Sequence, residues 1–347
     1  MRILVIRLSA MGDVALTLPA VKSFVERYPG HELTILTRPA FSTFFRGIPT
    51  IRLFTPDLNH YKGLYGIWKI YRDLAGSGRF DMVIDLHDVI RSKILRCFFR
   101  IAGTPVFSID KGRREKRGLV SGRGRKKLRH TVERYADVFR RAGFELALSA
   151  GKFIDAGSEA RKKVDTLFST STLLNIGIAP FARHELKQWP VEYMVSLMRM
   201  ISGTVSARFW LFGGTDECER LAGIEKVTER SVNLCGKLSL EEEIAVMERL
   251  DFMIAMDSAN MHMAALVGTK AVSIWGGTDP LAGFGAWGQP PEYSIRISPS
   301  ELECRPCTIY GKGRCKRKDL ACLYRLTPEI VFGEIVKLGL LKEKNRI

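Results

Sequence analysis

The stretch from Phe252 to Pro280 constrains the fold more than any other part of this 347-residue chain. Two short apolar runs, 252–256 and 271–275, flank a segment rich in Met, Ala and Leu. This pattern predicts a buried strand, a short helix and a second buried strand, as in a parallel α/β sheet. Asp257 and Ser258 stand where the first strand ends and the helix begins, so the positive end of the helix dipole faces the carboxyl edge of the sheet. The stretch predicts an anion site, although an ordinary capped helix produces the same pattern.

The neighbouring residues complete this predicted anion site. Ala259 keeps the turn narrow, and His262 follows within the same helix. The turn-rich loop 276–280 comes after the next strand and reaches the same edge of the sheet. We therefore expect the two loops to hold a diphosphate group between them.

Strand and helix patterns alternate along the rest of the chain in two series. The predicted strands are 2–8, 32–37 and 83–86 in the first series, and 176–179 and 207–212 in the second. Repeated strand–helix–strand units predict an α/β fold with two doubly wound parallel sheets. The two domains are expected to meet near 150–172, where the polar segment 155–161 is typical of a connection.

Composition limits the classes of protein that the chain can belong to. Its 46% hydrophobic content is sufficient for two cores, and no run approaches the ~20 apolar residues that a membrane-spanning helix needs. A strand begins at residue 2, which leaves no room for a signal peptide and predicts a cytosolic protein. Seven cysteines in such a chain argue against a disulfide framework.

The net charge of +17 is concentrated in one segment. Residues 111–129 contain ten Lys or Arg and one acid, with four glycines and no apolar periodicity. These features predict a mobile basic loop that contacts phosphates, anionic lipid head groups or nucleic acid. The segment lacks aromatic residues that would stack on bases, which favours phosphates or a membrane surface, and a merely solvated loop stays open as an alternative.

The loop after the first strand contains a candidate catalytic carboxylate. Gly12 allows close approach of the backbone to a ligand, and Asp13 offers a carboxylate at the edge of the sheet. Such an Asp can act as a general base, or it can simply cap the helix that follows. The GxGxxG pattern of dinucleotide-binding proteins is absent from this loop.

The loop 180–190 also leads from a strand into a helix. Arg183 and Lys187 are placed to reach phosphate oxygens, and Trp189-Pro190 ends the loop rigidly. A surface loop with one buried Trp is the alternative interpretation.

Four cysteines near the C-terminus form a third candidate site. Cys304, Cys307, Cys315 and Cys322 lie within nineteen residues. Their number fits a four-thiolate structural zinc site without an open ligand position, although the second pair lacks CxxC spacing. Unligated or redox-paired thiols are the alternative.

Six motifs in order resemble the ADP-heptose:lipopolysaccharide heptosyltransferase family. They extend from residue 1 to about 330 and comprise RLSAMGDVALTLPA, DLHDVIRSKIL with Asp85, His87 and Arg91, HTVERY at 130–135, KQWP at 187–190, MDSANMH, and GGTDP. The resemblance implies a GT-B fold, in which two Rossmann-like domains face a central cleft. It implies an acceptor-binding domain over 1–160, a nucleotide-sugar-binding domain over 170–326 and a C-terminal helix over 327–347 that crosses back to the first domain.

The resemblance also implies roles for individual residues. Asp13 matches the catalytic base, with Gly12, His87 and Arg91 on the acceptor side. Lys187 matches a phosphate-binding lysine, and the donor-binding residues that join it are Arg183, Asp257, Ser258, Ala259 and His262. Ser258-Ala259 replaces the commoner Thr-Gly of the family, and Ala182-Arg183 replaces hydroxyl residues, so the nucleotide sugar is left open.

The implied reaction is an inverting, metal-independent transfer of heptose from ADP-heptose to the inner core of lipopolysaccharide. Catalysis would then require no cofactor, and the protein would act at the cytoplasmic face of the inner membrane, in peripheral contact with its anionic surface. Two alternatives are a GT-B enzyme with another nucleotide sugar or envelope acceptor, and a basic protein that binds nucleic acid without catalysis. The first explains the same motifs, whereas the second leaves them without a role, and we expect no nucleic-acid partner.

Overall fold

A computed structural model describes residues 1–168 and 173–342, which form two compact units. Unit 1 consists of Met1–Lys111 and Arg129–Phe153. Unit 2 consists of Gly112–Leu128 and the described residues from Ile154 onward. The chain therefore enters unit 2 twice, whereas a single boundary between 160 and 170 was expected. Position 170 and residues 343–347 lie outside the described residues.

The strands are short and mostly buried. In chain order they are β1 Arg2–Ile6, β2 Glu32–Leu36, β3 Ile51–Phe54, β4 Met82–Asp85, β5 Val106–Ser108, β6 Leu174–Ala179, β7 Ala207–Leu211, β8 Ser231–Asn233, β9 Phe252–Met256, β10 Lys270–Trp275 and β11 Ser294–Arg296.

The helices lie between these strands. They are α1 Met11–Ala15, α2 Leu18–Arg27, α3 Gly63–Gly76, α4 Ile90–Ile101, α5 Arg113–Val120, α6 Thr131–Arg141, α7 Ser158–Asp165, α8 Val191–Ser202, α9 Cys218–Val227, α10 Leu240–Glu248, α11 Ala259–Leu266, α12 Ala321–Tyr324 and α13 Pro328–Lys337. Short 3-10 helices cover Pro39–Phe45, Glu185–Lys187, Thr215–Glu217, Pro280–Ala282 and Pro291–Tyr293.

Each unit contains one parallel sheet, which confirms the predicted fold class. The strand order is β3-β2-β1-β4-β5 in unit 1 and β11-β10-β9-β6-β7-β8 in unit 2. The central strands are continuous apolar runs because helices cover both faces of a parallel sheet. Four of the five residues of β1 and all five of β9 are buried. Ile6 pairs with Leu36 on one side and with Asp85 on the other, so the loops after β1 and β4 start from adjacent positions.

Two segments differ in structure or in packing from what the sequence indicated. The expected connection at 155–161 continues into helix α7, which packs against α10 in unit 2. The C-terminal helix α13, which was expected to cross to the first domain, packs against α8 through the core that contains Val331 and Ile335. Both segments bury apolar side chains in unit 2, and this burial explains their helical structure.

One disulfide joins Cys218, at the start of α9, to Cys235, which follows β8. This bridge was not expected from the cysteine count, because an odd number of cysteines says nothing about which pairs the fold brings together. The other five cysteines are free thiols.

Candidate active site

The order of the strands reverses at one point in each sheet, and both predicted site loops lie there. In unit 1 the reversal falls between β1 and β4, and in unit 2 between β6 and β9. At such a switch point the loops leave in opposite directions and open a crevice at the carboxyl ends of the strands. Asp13 follows β1, and Lys187 and Asp257 follow β6 and β9.

In unit 1 the crevice contains an ion pair between Arg7 and Asp13. Arg7 Nη2 lies 2.8 Å from Asp13 Oδ2, and Arg7 Nη1 donates a hydrogen bond to the carbonyl of Leu86 at 2.6 Å. The side chain of Arg7 is 8% exposed, whereas that of Asp13 is 33% exposed. The buried guanidinium of Arg7 therefore fixes the position of the partly exposed carboxylate of Asp13.

The backbone around Asp13 also restrains it. The residue lies in the short helix α1, and its Oδ2 is 3.4 Å from the backbone nitrogen of Ala10. The hydroxyl of Tyr135 donates to the Asp13 carbonyl at 3.3 Å. Asp13 thus makes a contact of the capping kind and keeps an exposed carboxylate at the same time. Gly12 is buried beside it in α1.

His87 lies in the loop after β4, and Asp85 orders that loop. Asp85 Oδ1 accepts hydrogen bonds from the backbone nitrogens of His87 and Asp88, at 2.9 and 3.0 Å. The second ring nitrogen of His87, Nε2, is 3.3 Å from the Ser9 hydroxyl. Burial, then the positive charges of Arg7 and Lys111, lower the pKa of His87 to about 3, so the imidazole is neutral near pH 7.

Among the described contacts, none joins Arg91 to Arg7, Asp13 or His87. It is the second residue of α4 and lines an apolar groove together with Leu64 and Ile90. Its predicted place on the acceptor side therefore stays a prediction.

In unit 2 the corresponding ion pair joins Lys187 to Asp257. Lys187 Nζ lies 2.8 Å from Asp257 Oδ2, and the Thr278 hydroxyl donates to the same oxygen at 2.8 Å. Here the carboxylate is 7% exposed and the lysine 16% exposed. The sequence indicated Lys187 and Asp257 separately, but it gave no sign of their pairing or of the role of Thr278.

Helix α11 begins directly after Asp257 and Ser258. Ser258 is its N-cap residue, but its side chain makes no capping hydrogen bond, and its buried Oγ has no hydrogen-bond partner in the described part of the chain. Asp257 likewise contacts Lys187 rather than the helix, so these two side chains do not cap as expected. The amide groups of the first turn are thereby left to a ligand or to water. Ala259 is the first helical residue, and His262 is buried in the same helix.

The loop that contains Lys187 is fixed at both ends. Leu186 accepts a hydrogen bond from the Gly277 amide at 2.7 Å, and the Trp189 indole donates to the Leu326 carbonyl at 2.8 Å. A Cβ atom on Gly277 would lie 3.0 Å from Cys307 Sγ. This close approach explains why a glycine occupies the loop after β10. Arg183, by contrast, is exposed in the same loop.

Gly311 packs directly on the aliphatic part of the Lys187 side chain. A Cβ atom at this position would lie 2.8 to 3.0 Å from three carbon atoms of Lys187. The φ angle of Gly311 is +81°, which side chains rarely adopt. The cysteine-containing loop therefore forms one wall of the Lys187 site, a role that its sequence did not indicate.

The sequence profile of glycosyltransferase family 9 (heptosyltransferase) matches residues 67–312. This range covers about half of unit 1 and most of unit 2. The chain belongs to this glycosyltransferase family. The enzyme is 26% identical to lipopolysaccharide heptosyltransferase 1 of Pseudomonas aeruginosa, with both chains covered completely.

Solved structures with the same fold support the GT-B assignment. A glycosyl transferase family 9 protein from Veillonella parvula superposes with a TM-score of 0.74 and 22% identity, over 98% of this chain and 97% of that one. ADP-heptose lipopolysaccharide heptosyltransferase II of Escherichia coli superposes with a TM-score of 0.71 and 18% identity, over 98% of both chains. The enzyme therefore has the two-domain fold that its motifs implied.

The geometry of the enzyme does not support the predicted zinc site. Cys304, Cys307, Cys315 and Cys322 line one small cavity of about 20 Å³. However, across 1–168 and 173–342 no three His, Cys, Asp or Glu side chains are arranged to hold a metal ion. Burial raises the pKa of Cys307 and raises that of Cys322 to about 11, which favours protonated thiols.

The basic segment 111–129 of the enzyme is not the mobile loop that its composition suggested. Residues Arg113–Val120 form α5, and the segment from Gly112 to Leu128 belongs to unit 2. Lys116 lies 4.4 Å from the ring centre of Phe284, and Arg125 donates to the carbonyls of Pro299 and Glu303 at 2.8 and 3.1 Å. Two of its cations thus attach the segment to the rest of unit 2.

Among the described helices of the enzyme, none has both the length and the apolar composition that crossing a bilayer requires.

Proposed function

We propose that this enzyme transfers heptose from ADP-heptose to the inner core of lipopolysaccharide, with inversion at the anomeric carbon. The observation that carries the proposal is the partly exposed carboxylate of Asp13, which Arg7 holds at the switch point of the first sheet. The relative from P. aeruginosa, named as a lipopolysaccharide heptosyltransferase, aligns with the whole chain and supports the choice of substrate.

In the proposed reaction Asp13 is the general base. A carboxylate oxygen of Asp13 accepts the proton of an acceptor hydroxyl while that hydroxyl oxygen forms a bond to the anomeric carbon of heptose. The bond between this carbon and the phosphate oxygen of ADP breaks, and ADP leaves with the electron pair. A single displacement of this kind inverts the configuration, and a general base typically contributes about 10²–10⁴-fold to the rate.

We propose that unit 2 binds and stabilises the leaving diphosphate. Lys187 supplies a full positive charge, and the uncapped N-terminus of α11, from Ala259, supplies amide groups and the positive end of the helix dipole. The Ser258 hydroxyl, Arg183 and His262 add further donors near the same phosphates. Charge-assisted hydrogen bonds of this type are about twice as strong as neutral ones.

We propose that catalysis needs no metal ion, because these groups supply the charge that a bound cation supplies in other enzymes of nucleotide sugars. Transfer should then keep its rate in the presence of a chelator such as EDTA. A loss of activity that added magnesium or manganese restores would contradict this part of the proposal.

The acceptor is proposed to bind beside Asp13. Gly12 allows a sugar to approach the backbone, and the neutral imidazole of His87 has a buried Nδ1 without a hydrogen-bond partner among the described residues. A sugar hydroxyl is a suitable partner for that nitrogen. Arg91 is a candidate for an acidic group of the acceptor further along the same unit.

The proposed location is the cytoplasmic face of the inner membrane, where the enzyme contacts anionic lipids. Within the segment 111–129, Arg123, Lys126 and Lys127 are exposed, whereas Arg125 binds the loop at 299–303. A variant that replaces Arg123, Lys126 and Lys127 with Gln therefore tests the segment without releasing it from unit 2. Its binding to anionic vesicles should fall by up to about 1 kcal/mol per charge.

A panel of nucleotide sugars tests the donor directly. ADP-heptose should raise the melting temperature most, because a ligand present at about 100 times its Kd adds about 2.7 kcal/mol of stability. Mass spectrometry should then show one added heptose on a lipopolysaccharide core acceptor. Stronger stabilisation by a UDP- or GDP-sugar would instead favour a different donor, which Ser258-Ala259 in place of Thr-Gly leaves open.

A further inference from the structure

Helix α4 has two apolar faces, and only one of them lies in the core. Leu95 and Phe99 point inward and are buried with Leu4 and Val83. On the opposite side of the helix, at spacings of four, three and four residues, a second apolar row consists of Ile90, Ile94, Cys97 and Ile101. At 100° per residue this row lies about 150° from the core face.

The second row is exposed at both ends of the helix, whereas Ile94 is half-buried and packs against the core. Ile90 is 78% exposed and Ile101 is 79% exposed, and about 16 Å of helix separates them. Exposed single aliphatic residues are ordinary, but several on one side of a helix are typical of a surface that is covered by a partner.

Helix α3 extends this surface at one end. Leu64 lines a groove with Ile90 and Ile94, and Leu64, Tyr65 and Trp68 are exposed. The rings of Tyr65 and Trp68 lie 5.6 Å apart. Trp and Tyr with one apolar and one polar side are enriched where proteins meet the interface of a bilayer. We call this surface, formed by the exposed apolar residues of α3 and α4, the α3–α4 face.

Cations flank the α3–α4 face. Helix α4 contains no Asp or Glu, and its basic residues are Arg91, Lys93, Arg96 and Arg100. Arg96 pairs with Asp85 on the core side, and Lys93 Nζ lies 3.7 Å from Asp88 Oδ1. Arg91, Lys93 and Arg100 lie to the two sides of the apolar row. On α3, Arg72 lies 5.0 Å from the ring centre of Trp68. An apolar row between cations is the pattern of a helix that lies in the plane of an anionic membrane surface.

We infer that the α3–α4 face binds an anionic phospholipid bilayer, with Ile90, Ile101 and Trp68 at the boundary between head groups and acyl chains. The inference rests on the proposed location at a membrane and identifies the surface that contacts it. A second copy of the chain is a poorer occupant, because a two-fold contact would bring the cations of α4 against each other without a compensating acid on that helix.

Vesicle binding tests the inference without donor, acceptor or transfer. Full-length Ile90→Ser/Ile101→Ser is compared with wild type by co-sedimentation with vesicles of phosphatidylglycerol and phosphatidylethanolamine. Both side chains are mostly exposed, so the fold should be unaffected, and thermal unfolding checks this. The partition coefficient should fall at least about thirtyfold, since each side chain loses the transfer of most of its apolar surface.

The matched control changes two exposed aliphatic residues of unit 2. Val227 is 50% exposed and Ile330 is 45% exposed, so Val227→Ser/Ile330→Ser removes a comparable type of surface elsewhere. Its partition coefficient should equal that of wild type. A second arm, Lys93→Gln/Arg100→Gln, should weaken binding to anionic vesicles by roughly fivefold per charge and should have little effect on phosphatidylcholine vesicles.

Three results would overturn the inference. One is wild-type vesicle binding by the α4 double variant. The second is loss of binding only in the variant of Arg123, Lys126 and Lys127, which would assign the contact to the basic segment. The third is a concentration-dependent dimer in light scattering that the α4 substitutions abolish, with no vesicle binding by either protein. If transfer to a detergent-dispersed acceptor persists in any of these cases, the proposed function stands and only the surface is wrong.

Discussion

The two switch-point sites use the same kind of ion pair in opposite ways. The nitrogen–oxygen distance is 2.8 Å both between Arg7 and Asp13 and between Lys187 and Asp257. In unit 1 the cation is the more buried partner, and in unit 2 the carboxylate is. The first site therefore presents an acceptor of protons to its crevice, and the second presents a positive charge.

This difference shows how two similar sheets supply different chemistry. The more buried partner of each pair fixes the position of the less buried one, because an ion held by burial and hydrogen bonds loses little entropy on contact with a ligand. In the proposed mechanism the same fold position thus serves a general base in one unit and an anion site in the other.

The largest expected effect comes from Asp13→Asn. It should lower kcat at least about 100-fold and leave the affinity for ADP unchanged, because a base on the acceptor acts only in the transfer step. Steady-state kinetics and calorimetry measure the two quantities. Asp73→Asn, which alters an exposed carboxylate of unit 1 that accepts from Tyr61, should retain wild-type kcat. If Asp13→Asn also retained it, Asp13 would be a structural residue of α1.

Lys187→Ala should have the next largest effect and act on the other property. The affinity for ADP should fall by about 1.5–3 kcal/mol, which is the range for hydrogen bonds to charged groups. Lys187→Arg should restore part of it. The control is Lys163→Ala, which breaks an exposed pair with Glu242 in the same unit. If calorimetry showed that Lys187→Ala keeps the wild-type affinity for ADP, this lysine would not belong to the diphosphate site. The proposed difference between the two sites would then lose its main support.

The pH dependence of the free energy of unfolding tests the lowered pKa of His87 in unit 1. The pKa of His87 is about 3 in the folded enzyme and about 6.5 in the unfolded chain. The unfolded state therefore binds more protons between these values, so the stability contribution is complete above about pH 6.5 and is lost as pH falls toward 3.

Urea titrations from pH 7 to pH 4 measure this contribution. In His87→Gln, the loss of unfolding free energy between pH 7 and pH 4 should be smaller than in wild type by roughly 1–3 kcal/mol. His60→Gln, at a histidine whose side chain is 80% exposed, should leave the slope unchanged. Equal slopes for wild type and His87→Gln would show that burial in the folded enzyme does not depress the pKa of His87.

The smallest expected effect tests whether the position of the Lys187 side chain, and not only its charge, matters for ADP binding in unit 2. Gly311→Ala should weaken ADP binding about three- to tenfold, because the new methyl group displaces the side chain of Lys187; this magnitude corresponds to roughly 0.7–1.4 kcal/mol. Gly313→Ala is a close control, since Gly313 also has a positive φ angle but no atom within 4 Å of its Cβ position. Both variants should lose stability through backbone strain. If they lose the same ADP affinity, the wall formed by Gly311 does not position Lys187.

Several parts of the site were accessible from sequence because they depend on local pattern. The strand at 252–256 was predicted with the bounds that the structure gives to β9, and a short helix follows it as predicted. Apolar runs bounded by turn residues determine such elements without help from distant residues. The carboxyl ends of parallel strands share one edge, so Asp257 and Lys187 were both expected near it.

Partners far apart in sequence were not accessible in this way. Lys187 and Asp257 are joined only because β6 and β9 are neighbours in the sheet, and Thr278 joins them from the loop after β10. Arg7 was read only as part of the first strand, since no pattern shows that its side chain turns toward Asp13. The segment 111–129 looked like a free loop because its contacts are with residues near 284 and 299.

Helix α4 marks the limit between what sequence determined and what tertiary structure decided. Its sequence determines that it is a helix with many cations and two apolar rows, because both rows repeat with the helical period. Periodicity alone does not say which row faces the sheet. The packing of Leu95 and Phe99 into the core decided that question and left Ile90 and Ile101 exposed, since only one side of a helix can pack against the sheet it covers.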